Sequence, residues 1–311
     1  MLLNSTNASD LNSTPKMDIL LSSSLKNPNL LTKFHIPRFQ QRLAIINEWD
    51  VQPGEHVLDI GCGQGESCLA LALQVGNLGH VTGIDPAQPD YGSPYTMGET
   101  QEHIRKSILG PRITFQCTDT RSFLASLDKQ PSTVIDSAVL CHSLWYFHDD
   151  KAAHSLFATL ADFKIARIYL AEYSYSSSQE NQGPHVLAAK AQASFHACKT
   201  PCEPGLREQN VRAGLNQRSI LKAVEDAGFA VAREGYLTPG EDLLEGHFEV
   251  DYVLGELFQQ RLKEENLRDD QEAEIQALIQ QLRSETERLR SMGISTMGSM
   301  DVWWAVLMLQ R

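Results

Sequence analysis

Short apolar runs alternate with helical stretches from Pro53 to about Tyr173, and this alternation restricts the possible folds more than any other feature of the chain. The runs are continuously apolar, which is typical of strands that are covered on both faces of a sheet. Helical stretches such as ESCLALALQ (66–74) and DDKAAHSLFATLA (149–161) lie between them. The runs are HVLDI (56–60), HVTGID (80–85), RITFQC (112–117), TVIDSAVLC (133–141) and RIYLAEY (167–173). The alternation predicts an α/β fold with a parallel sheet and right-handed crossovers.

Two further strands are predicted in the second half of the chain, at AVAREGYL (230–237) and DVWWAVLML (301–309). Apolar residues at helical spacing within a charged segment predict an insertion of one or two amphipathic helices over 241–295, before the final strand. A helical stretch over 30–50 precedes the sheet. It is either one helix or two helices broken at Pro37.

The composition argues against several classes of partner. Acidic residues outnumber basic ones by 39 to 27 and the net charge is −12, so we expect neither nucleic acid nor an anionic membrane surface as a partner. Residues 1–15 are rich in Ser and Asn and are expected to be a disordered tail, followed by one domain over 16–311. The six cysteines favour reduced thiols and a cytoplasmic location. No metal site is predicted, because Cys198 and Cys202 near His196 have no second pair of ligands.

The first strand runs directly into a glycine-rich turn, VLDIGCGQGES (57–67). Glycine in such a turn allows positive φ and lets another group approach the backbone closely. The helix that starts near Glu66 adds unpaired N–H groups and a partial positive charge, which attract a carboxylate or phosphate. Asp85, at the end of the second strand, can accept hydrogen bonds from both hydroxyls of a ribose. Asp119 follows the third strand, where it can meet an adenine amine, so the three strand ends predict a nucleotide-type site.

The glycine spacing, G-x-G-x-G after an acidic residue, differs from the G-x-G-x-x-G pattern of dinucleotide sites. It resembles motif I of the class I S-adenosylmethionine-dependent methyltransferases. This resemblance implies a Rossmann-like, seven-stranded sheet that is mostly parallel, with an antiparallel last strand and helices on both faces. It implies S-adenosylmethionine as the cofactor, held by Asp59, Gly61, Gly63, Gly65, Asp85, Pro86, Asp119, Thr120 and Cys141. In the family pattern Asp59 and the glycine backbone would hold the methionine part, and Ile84 and Pro86 would pack on the adenine ring.

The fourth strand leads into CHSLWYFHDD (141–150), which is expected to face the transferable methyl group. The segment lacks the N-P-P-Y or D-P-P-Y pattern of relatives that methylate nucleic acids and protein amides. His142 is the candidate general base, since imidazole titrates near neutral pH, although it is equally a candidate for capping or packing the following helix. Residues expected to contact the acceptor lie on this segment, on the N-terminal lid helices over 30–50 and on the loop after the second strand: His35, Tyr91, Tyr95, Trp145 and Tyr146. The resemblance also implies that the stretch GPHVLAAKAQASFHACK (183–199) contributes to acceptor specificity.

The chain is therefore predicted to transfer a methyl group from S-adenosylmethionine to a hydroxyl, amine or thiol of a small organic acceptor, of the kind found in secondary metabolism. Two alternatives stay open at this point. One is a nicotinamide-dependent oxidoreductase, and the other is a non-catalytic regulatory protein that keeps the cofactor pocket. The helices over 241–295 are a possible homodimer interface, or else a solvated excursion packed on the body of the chain.

Overall fold

The apolar runs form the strands of one seven-stranded sheet. The computed structural model describes residues 15–127, 134–147, 149–199 and 214–310, so nearly all of the predicted tail and Cys202 lie outside the described residues. Most strand ends fall within one residue of the sequence prediction, whereas the fourth strand is shorter than its apolar run. The strands are β1 His56–Ile60, β2 His80–Asp85, β3 Ile113–Cys117, β4 Ser137–Cys141, β5 Arg167–Tyr173, β6 Phe229–Leu237 and β7 Val302–Leu309.

The strand order is β3-β2-β1-β4-β5-β7-β6. Strands β1 to β5 pair in parallel, and β7 pairs antiparallel with both β5 and β6. The predicted Rossmann-like sheet with an antiparallel last strand is confirmed. The chain order reverses between β1 and β4, and ligands of such sheets bind at this switch point, beyond the carboxyl ends of the strands.

Helices cover both faces of the sheet. Successive residues of β1 enter different hydrophobic clusters, Val57 with Trp49 on one face and Leu58 with Phe157 on the other. The helices are α1 Pro15–Ser23, α2 Ile36–Trp49, α3 Glu66–Val75, α4 Met97–Arg105, α5 Thr120–Leu127, α6 Asp150–Asp162, α7 Gly183–Cys198, α8 Gln217–Asp226, α9 Glu245–Leu254, α10 Glu256–Glu264 and α11 Asp269–Ser291. Among the described residues, none of these helices has the length and apolarity needed to cross a membrane.

The helical stretch before the sheet is not broken at Pro37. One turn of π-helix, Leu31–His35, leads directly into α2, and Pro37 lies in the first turn of α2. A helix tolerates proline there because the first N–H groups have no partner within the helix. At the other end of α2, Nε1 of Trp49 donates a hydrogen bond to the carbonyl of Leu170 at 3.0 Å, which fixes the helix over β5.

The insertion before β7 contains three helices, α9 to α11, rather than one or two. Their apolar faces form a third hydrophobic cluster with α7, which includes Phe195, Phe258, Ile279 and Leu282, each at most 2% exposed. Most apolar residues of this segment therefore pack within the chain, whereas Phe248, Leu257 and Met292 are about half exposed. Dimerisation through these helices stays a prediction.

Candidate functional site

The three glycines of the turn after β1 all have left-handed backbone conformations, with φ of +72° at Gly61, +50° at Gly63 and +93° at Gly65. A Cβ atom at position 61 would lie 2.7 Å from Cβ of Ser143, and one at position 65 would lie 2.8 Å from Cδ1 of Ile104. A Cβ atom at position 63 would meet nothing within 4 Å. Gly61 and Gly65 are therefore needed for packing inside the chain, whereas Gly63 faces open space that a ligand can fill.

Asp59 lies behind this turn and not in its opening. Its carboxylate accepts hydrogen bonds from Oγ of Ser67 at 2.5 Å and from Sγ of Cys68 at 3.0 Å, and the residue is only 1% exposed. Burial raises the pKa of this carboxyl group. Its Oδ2 thus anchors the start of α3 to β1, and the contact of Asp59 with the methionine part of the cofactor stays a prediction.

Asp85 connects the end of β2 to the glycine turn. Its Oδ2 accepts a hydrogen bond from the N–H of Gly63 at 3.0 Å, and its Oδ1 accepts one from the N–H of Ala87 at 2.9 Å. Burial raises the pKa of Asp85. Of the two residues expected to pack on the adenine ring, Pro86 is exposed, but Ile84 is 1% exposed inside the core, so its predicted contact is wrong.

Asp119 and Thr120 lie at the start of α5, at the same edge of the sheet. The N–H of Thr118, which follows β3, donates to the carbonyl of Asp85 at 3.1 Å. Oδ1 of Asp119 accepts a hydrogen bond from the N–H of Ser122 at 2.9 Å, so Asp119 caps α5 while its side chain stays exposed. Hydrogen bonds from Ser122 lower the pKa of Asp119. The two carboxylates therefore follow neighbouring strands, as the sequence predicts.

The loop between β2 and α4 rests on the glycine turn. Nε2 of Gln64 donates a hydrogen bond to the carbonyl of Tyr95 at 2.7 Å. Nε2 of Gln101, in α4, donates to the carbonyl of Gly63 at 3.0 Å. Tyr91 is exposed and Tyr95 is half-buried. The loop that carries both tyrosines thus lies beside the opening at the turn, and their contact with an acceptor stays a prediction.

Cys141 is the last residue of β4, and His142 follows it. Both lie next to the same turn, because the next residue, Ser143, packs against Gly61. Burial raises the pKa of the Cys141 thiol to about 12. His142 has φ of +56°, and its main-chain N–H donates to the carbonyl of Ala171 at 2.8 Å. A non-glycine residue in this region of φ is strained, and such strain is often retained at functional sites.

The imidazole of His142 is buried, and neither ring nitrogen has a hydrogen-bond partner in the part of the chain that the structure describes. Burial, together with the nearby Arg42 guanidinium, lowers its pKa to about 3. The ring is therefore neutral at neutral pH, where it accepts or donates a hydrogen bond but holds a proton poorly. His142 thus follows β4, as predicted. Its surroundings make it a weak base, so they suit it to orienting an acceptor by a hydrogen bond better than to taking up the acceptor's proton.

A group of aromatic rings begins at His142. The ring of Tyr173 lies 4.6 Å from His142 and 4.9 Å from Trp145, and Trp145 lies 5.7 Å from Tyr175. Trp145 is buried, whereas Tyr146 is 49% exposed. Of the two residues predicted to form an aromatic wall, Trp145 packs against Tyr173, the ring that also contacts His142, whereas Tyr146 lies at the surface.

A network of ion pairs joins α2, α3 and α9 beside these rings. Arg38 contacts Glu66 at 2.6 Å and Glu245 at 3.0 Å, and Arg42 lies 4.0 Å from Glu245. The hydroxyl of Tyr173 donates a hydrogen bond to Glu245. Burial alone would raise the pKa of Glu245, but the two guanidinium groups outweigh it and lower this pKa to about 2.

His35, the fifth residue predicted for the acceptor, lies where the π-turn meets α2. Its Nε2 accepts a hydrogen bond from the N–H of Asn27 at 3.2 Å, and its ring packs edge-on against Phe34 at 5.2 Å. Burial lowers its pKa. Its contacts within the described ranges are thus with the N-terminal segment rather than with His142.

Several residues beside His142 were not predicted from the sequence: Arg38, Arg42, Glu172, Tyr173 and Glu245. His185 lies within 183–199, the stretch predicted to contribute to acceptor specificity, but it was not singled out there. Glu172 had a signal, because it is a carboxylate inside a continuously apolar run. Its Oε1 accepts a hydrogen bond from the N–H of Leu144 at 2.7 Å, and burial raises its pKa to about 8. The pairing of Arg38 with Glu245 had no such sequence signal, because 207 residues separate the two.

Comparisons with known proteins agree with this geometry. Residues 57–162 match the family described as a methyltransferase domain. Two methyltransferases of Diaporthe leptostromiformis, phomM' and phomM, are 37% and 36% identical to this chain, and each alignment covers 94% of the chain and 89% of the relative. The crystal structure of a cyclopropane-fatty-acyl-phospholipid synthase-like protein from Lactobacillus casei superposes with a TM-score of 0.76 at 27% identity, covering 94% of this chain and 99% of that protein.

Proposed function

Because this chain belongs to the class I S-adenosylmethionine-dependent methyltransferases, we propose that it methylates a hydroxyl, amine or thiol of a small organic acceptor. One contact carries the proposal. Gly61 of the cofactor turn packs against Ser143, so the strained His142 and its aromatic neighbours lie directly beside that turn. A cofactor and an acceptor can therefore meet between the ends of β1 and β4, at the switch point of the sheet.

The residues at the turn fit the cofactor. The open face of Gly63 can accommodate a ligand next to main-chain N–H groups at the start of α3. Asp85 would accept from the ribose hydroxyls, Asp119 would meet the adenine amine, and Pro86 and Thr120 would flank the ring. Asp59 supports the turn from behind. When bound, the cofactor supplies a methyl group on a positively charged sulfur, which is already electrophilic.

The chain's own contribution is mainly alignment of the acceptor. Well-oriented reacting groups can lower a barrier by roughly 7–11 kcal/mol, so positioning alone accounts for much of the rate. The neutral ring of His142 would hydrogen-bond the acceptor's reacting group, and Trp145 would form an apolar wall beside it. Tyr91, Tyr95, Tyr146 and His35 would contact the outer part of the acceptor.

The family assignment argues against the oxidoreductase alternative, because the two relatives that match over nearly the whole chain are methyltransferases. The non-catalytic alternative is decided by turnover. We expect purified protein to release S-adenosylhomocysteine from S-adenosylmethionine with at least one compound from a panel of phenols, amines and thiols. Calorimetric binding of S-adenosylhomocysteine without any turnover across the panel would instead support a regulatory protein.

A further inference from the structure

Buried polar atoms without hydrogen-bond partners are concentrated at one place in the described part of the chain. Most of them lie at the ends of β4 and β5 and on α7, which packs beside them. Proteins pair nearly all buried polar groups, and each one left unpaired costs about 1–3 kcal/mol, so a concentration of them indicates a site for a ligand. The atoms are Nδ1 and Nε2 of His142, Oγ of Ser143, Oε2 of Glu172, the hydroxyl of Tyr175, Nε2 of His185 and Oε1 of Gln192.

His185, on α7, is the second imidazole of this group and is fully buried. Its Nδ1 accepts a hydrogen bond from the N–H of Met300 at 2.9 Å, which leaves the proton of the neutral ring on Nε2. That Nε2 has no partner among the described residues. The ring lies 5.0 Å from Tyr173, the same ring that His142 contacts at 4.6 Å. The two imidazoles therefore share one aromatic neighbour.

The group offers hydrogen bonds but little charge. Burial lowers the pKa of His185 to about 4, so this ring, like that of His142, is neutral at neutral pH. The two nearest guanidinium groups are engaged within the chain. Arg38 is paired with Glu66 and Glu245, and Arg42 donates to Oε1 of Gln41 at 2.9 Å and lies 4.0 Å from Glu245. An anionic head group would thus find no unpaired cation among the described side chains here, and it would lose its hydration without compensation. An uncharged group that both donates and accepts hydrogen bonds would satisfy these atoms.

We propose that His142 and His185 form a two-imidazole site that binds an uncharged hydroxyl or amide group of the acceptor, with Trp145 and Tyr173 packing against the acceptor's flat apolar part. This assignment rests on the proposed methyl-transfer function and names the acceptor class that it takes. His185 is then a residue that determines specificity. It recognises the acceptor through Nε2 and keeps its own orientation through Nδ1.

Two substitutions separate these roles of His185. In His185→Asn the side-chain oxygen can replace Nδ1 and still accept from Met300, but nothing replaces Nε2. In His185→Gln the amide nitrogen can replace Nε2, but the N–H of Met300 loses its partner. The surface variant His154→Asn controls for loss of a histidine, because the one charged partner of His154 among the described residues is Asp226, at an exposed contact of 3.6 Å.

The full-length protein, saturated with S-adenosylhomocysteine, is titrated with benzamide and with benzoate, which have the same shape and differ in charge. Binding is followed by the ¹⁵N resonances of the histidine side chains. We expect benzamide, and not benzoate, to shift the resonances of two buried imidazoles. Its affinity should fall about tenfold in His185→Asn, which loses one hydrogen bond, and should be largely retained in His185→Gln and His154→Asn.

Equal shifts from benzoate, or none from benzamide, would overturn the proposal while leaving methyl transfer intact. So would an Asn variant that binds like the wild type while only the Gln variant loses affinity and stability, because that result assigns His185 a structural role. Binding of S-adenosylhomocysteine is measured separately by calorimetry. If it does not bind, that result counts against the proposed function itself.

Discussion

The main-chain N–H of Gly63 donates a hydrogen bond to Oδ2 of Asp85 over 3.0 Å, so the end of β2 holds the glycine turn that follows β1. The same carboxylate is the proposed partner of the ribose hydroxyls. One side chain therefore links the shape of the turn to the recognition of the ligand beside it.

Substitution of Asp85 is expected to weaken cofactor binding more than it lowers stability. Asp85→Asn keeps one oxygen for Gly63 and loses one acceptor, so we expect about tenfold weaker S-adenosylhomocysteine binding by calorimetry. Asp85→Ala loses both acceptors and should bind weaker still. Asp162→Ala, which removes an exposed carboxylate beside Arg121, is the control and should bind normally. Unchanged affinity in both Asp85 variants would remove the ribose assignment.

Substituting alanine for each of the three glycines should distinguish the glycines needed for packing from the one needed for cofactor binding. Gly61→Ala and Gly65→Ala place a methyl group 2.7–2.8 Å from neighbouring atoms and should destabilise the fold strongly. Gly63→Ala meets no neighbour, so it should cost only the strain of its positive φ, about 1–2 kcal/mol, yet abolish cofactor binding. Thermal unfolding and calorimetry measure the two effects. Normal binding by Gly63→Ala would show that the open face is not the cofactor's place.

Glu172 should make the stability of the protein fall as the pH rises. Burial raises its pKa from 4.5 to about 8, so its contribution is full below pH 4.5 and is lost as the pH rises through 8. The buried histidines act in the opposite direction, and their effect is complete above pH 6.5. Between pH 6.5 and 8 the wild type should lose about 1–2 kcal/mol relative to Glu172→Gln, which cannot ionise. Urea unfolding at each pH gives this difference, and parallel curves for the two chains would contradict it.

Arg38 should stabilise the contact between α2, α3 and α9. In Arg38→Met the carboxylates of Glu66 and Glu245 lose their shared partner, and we expect a loss of about 1–3 kcal/mol in the free energy of unfolding. Arg268→Met, whose pair with Asp270 is exposed, is the matched control and should change stability by less than about 0.5 kcal/mol. Equal losses in the two variants would mean that the network adds no more than an exposed pair does.

The third hydrophobic cluster should contribute to stability without affecting the cofactor. Leu282 is fully buried there, so Leu282→Ala should cost about 2–5 kcal/mol, whereas Leu278→Ala, one turn earlier and only partly buried, should cost less. S-adenosylhomocysteine affinity should be unchanged in both variants, measured below their unfolding temperatures. A parallel loss of affinity would mean that this cluster supports the cofactor turn.

The sheet, the glycine turn and the positions of Asp85 and Asp119 at the strand ends could be predicted because their signals are local. Continuous apolar runs mark buried parallel strands, and a glycine turn followed by Asp85 marks the strand ends. What could not be predicted depends on packing across the chain. The carboxylate of Asp59 turns towards Ser67 only because α3 starts directly above it, and Pro37 does not break its helix because it falls in the first turn.

The residues around His142 were predicted less completely, again because their positions depend on packing between distant parts of the chain. His142 and Trp145 were found because they follow β4 directly. His185 comes to them only through the packing of α7, and Glu245 only through α9. The low pKa of His142 likewise results from burial under distant helices and has no sequence signal.

The cluster formed by α7 with α9, α10 and α11 gives the helical part of the protein a core of its own, apart from the two that flank the sheet. His185 lies on α7 between that cluster and the sheet, since its ring contacts Tyr173 and Trp145 of a core that flanks the sheet. Asp85 and Gly63 lie at the strand ends themselves. With the proposed acceptor site, substrate preference can diverge among relatives through changes in α7 and the helices packed on it, while the glycine turn and Asp85 are left intact.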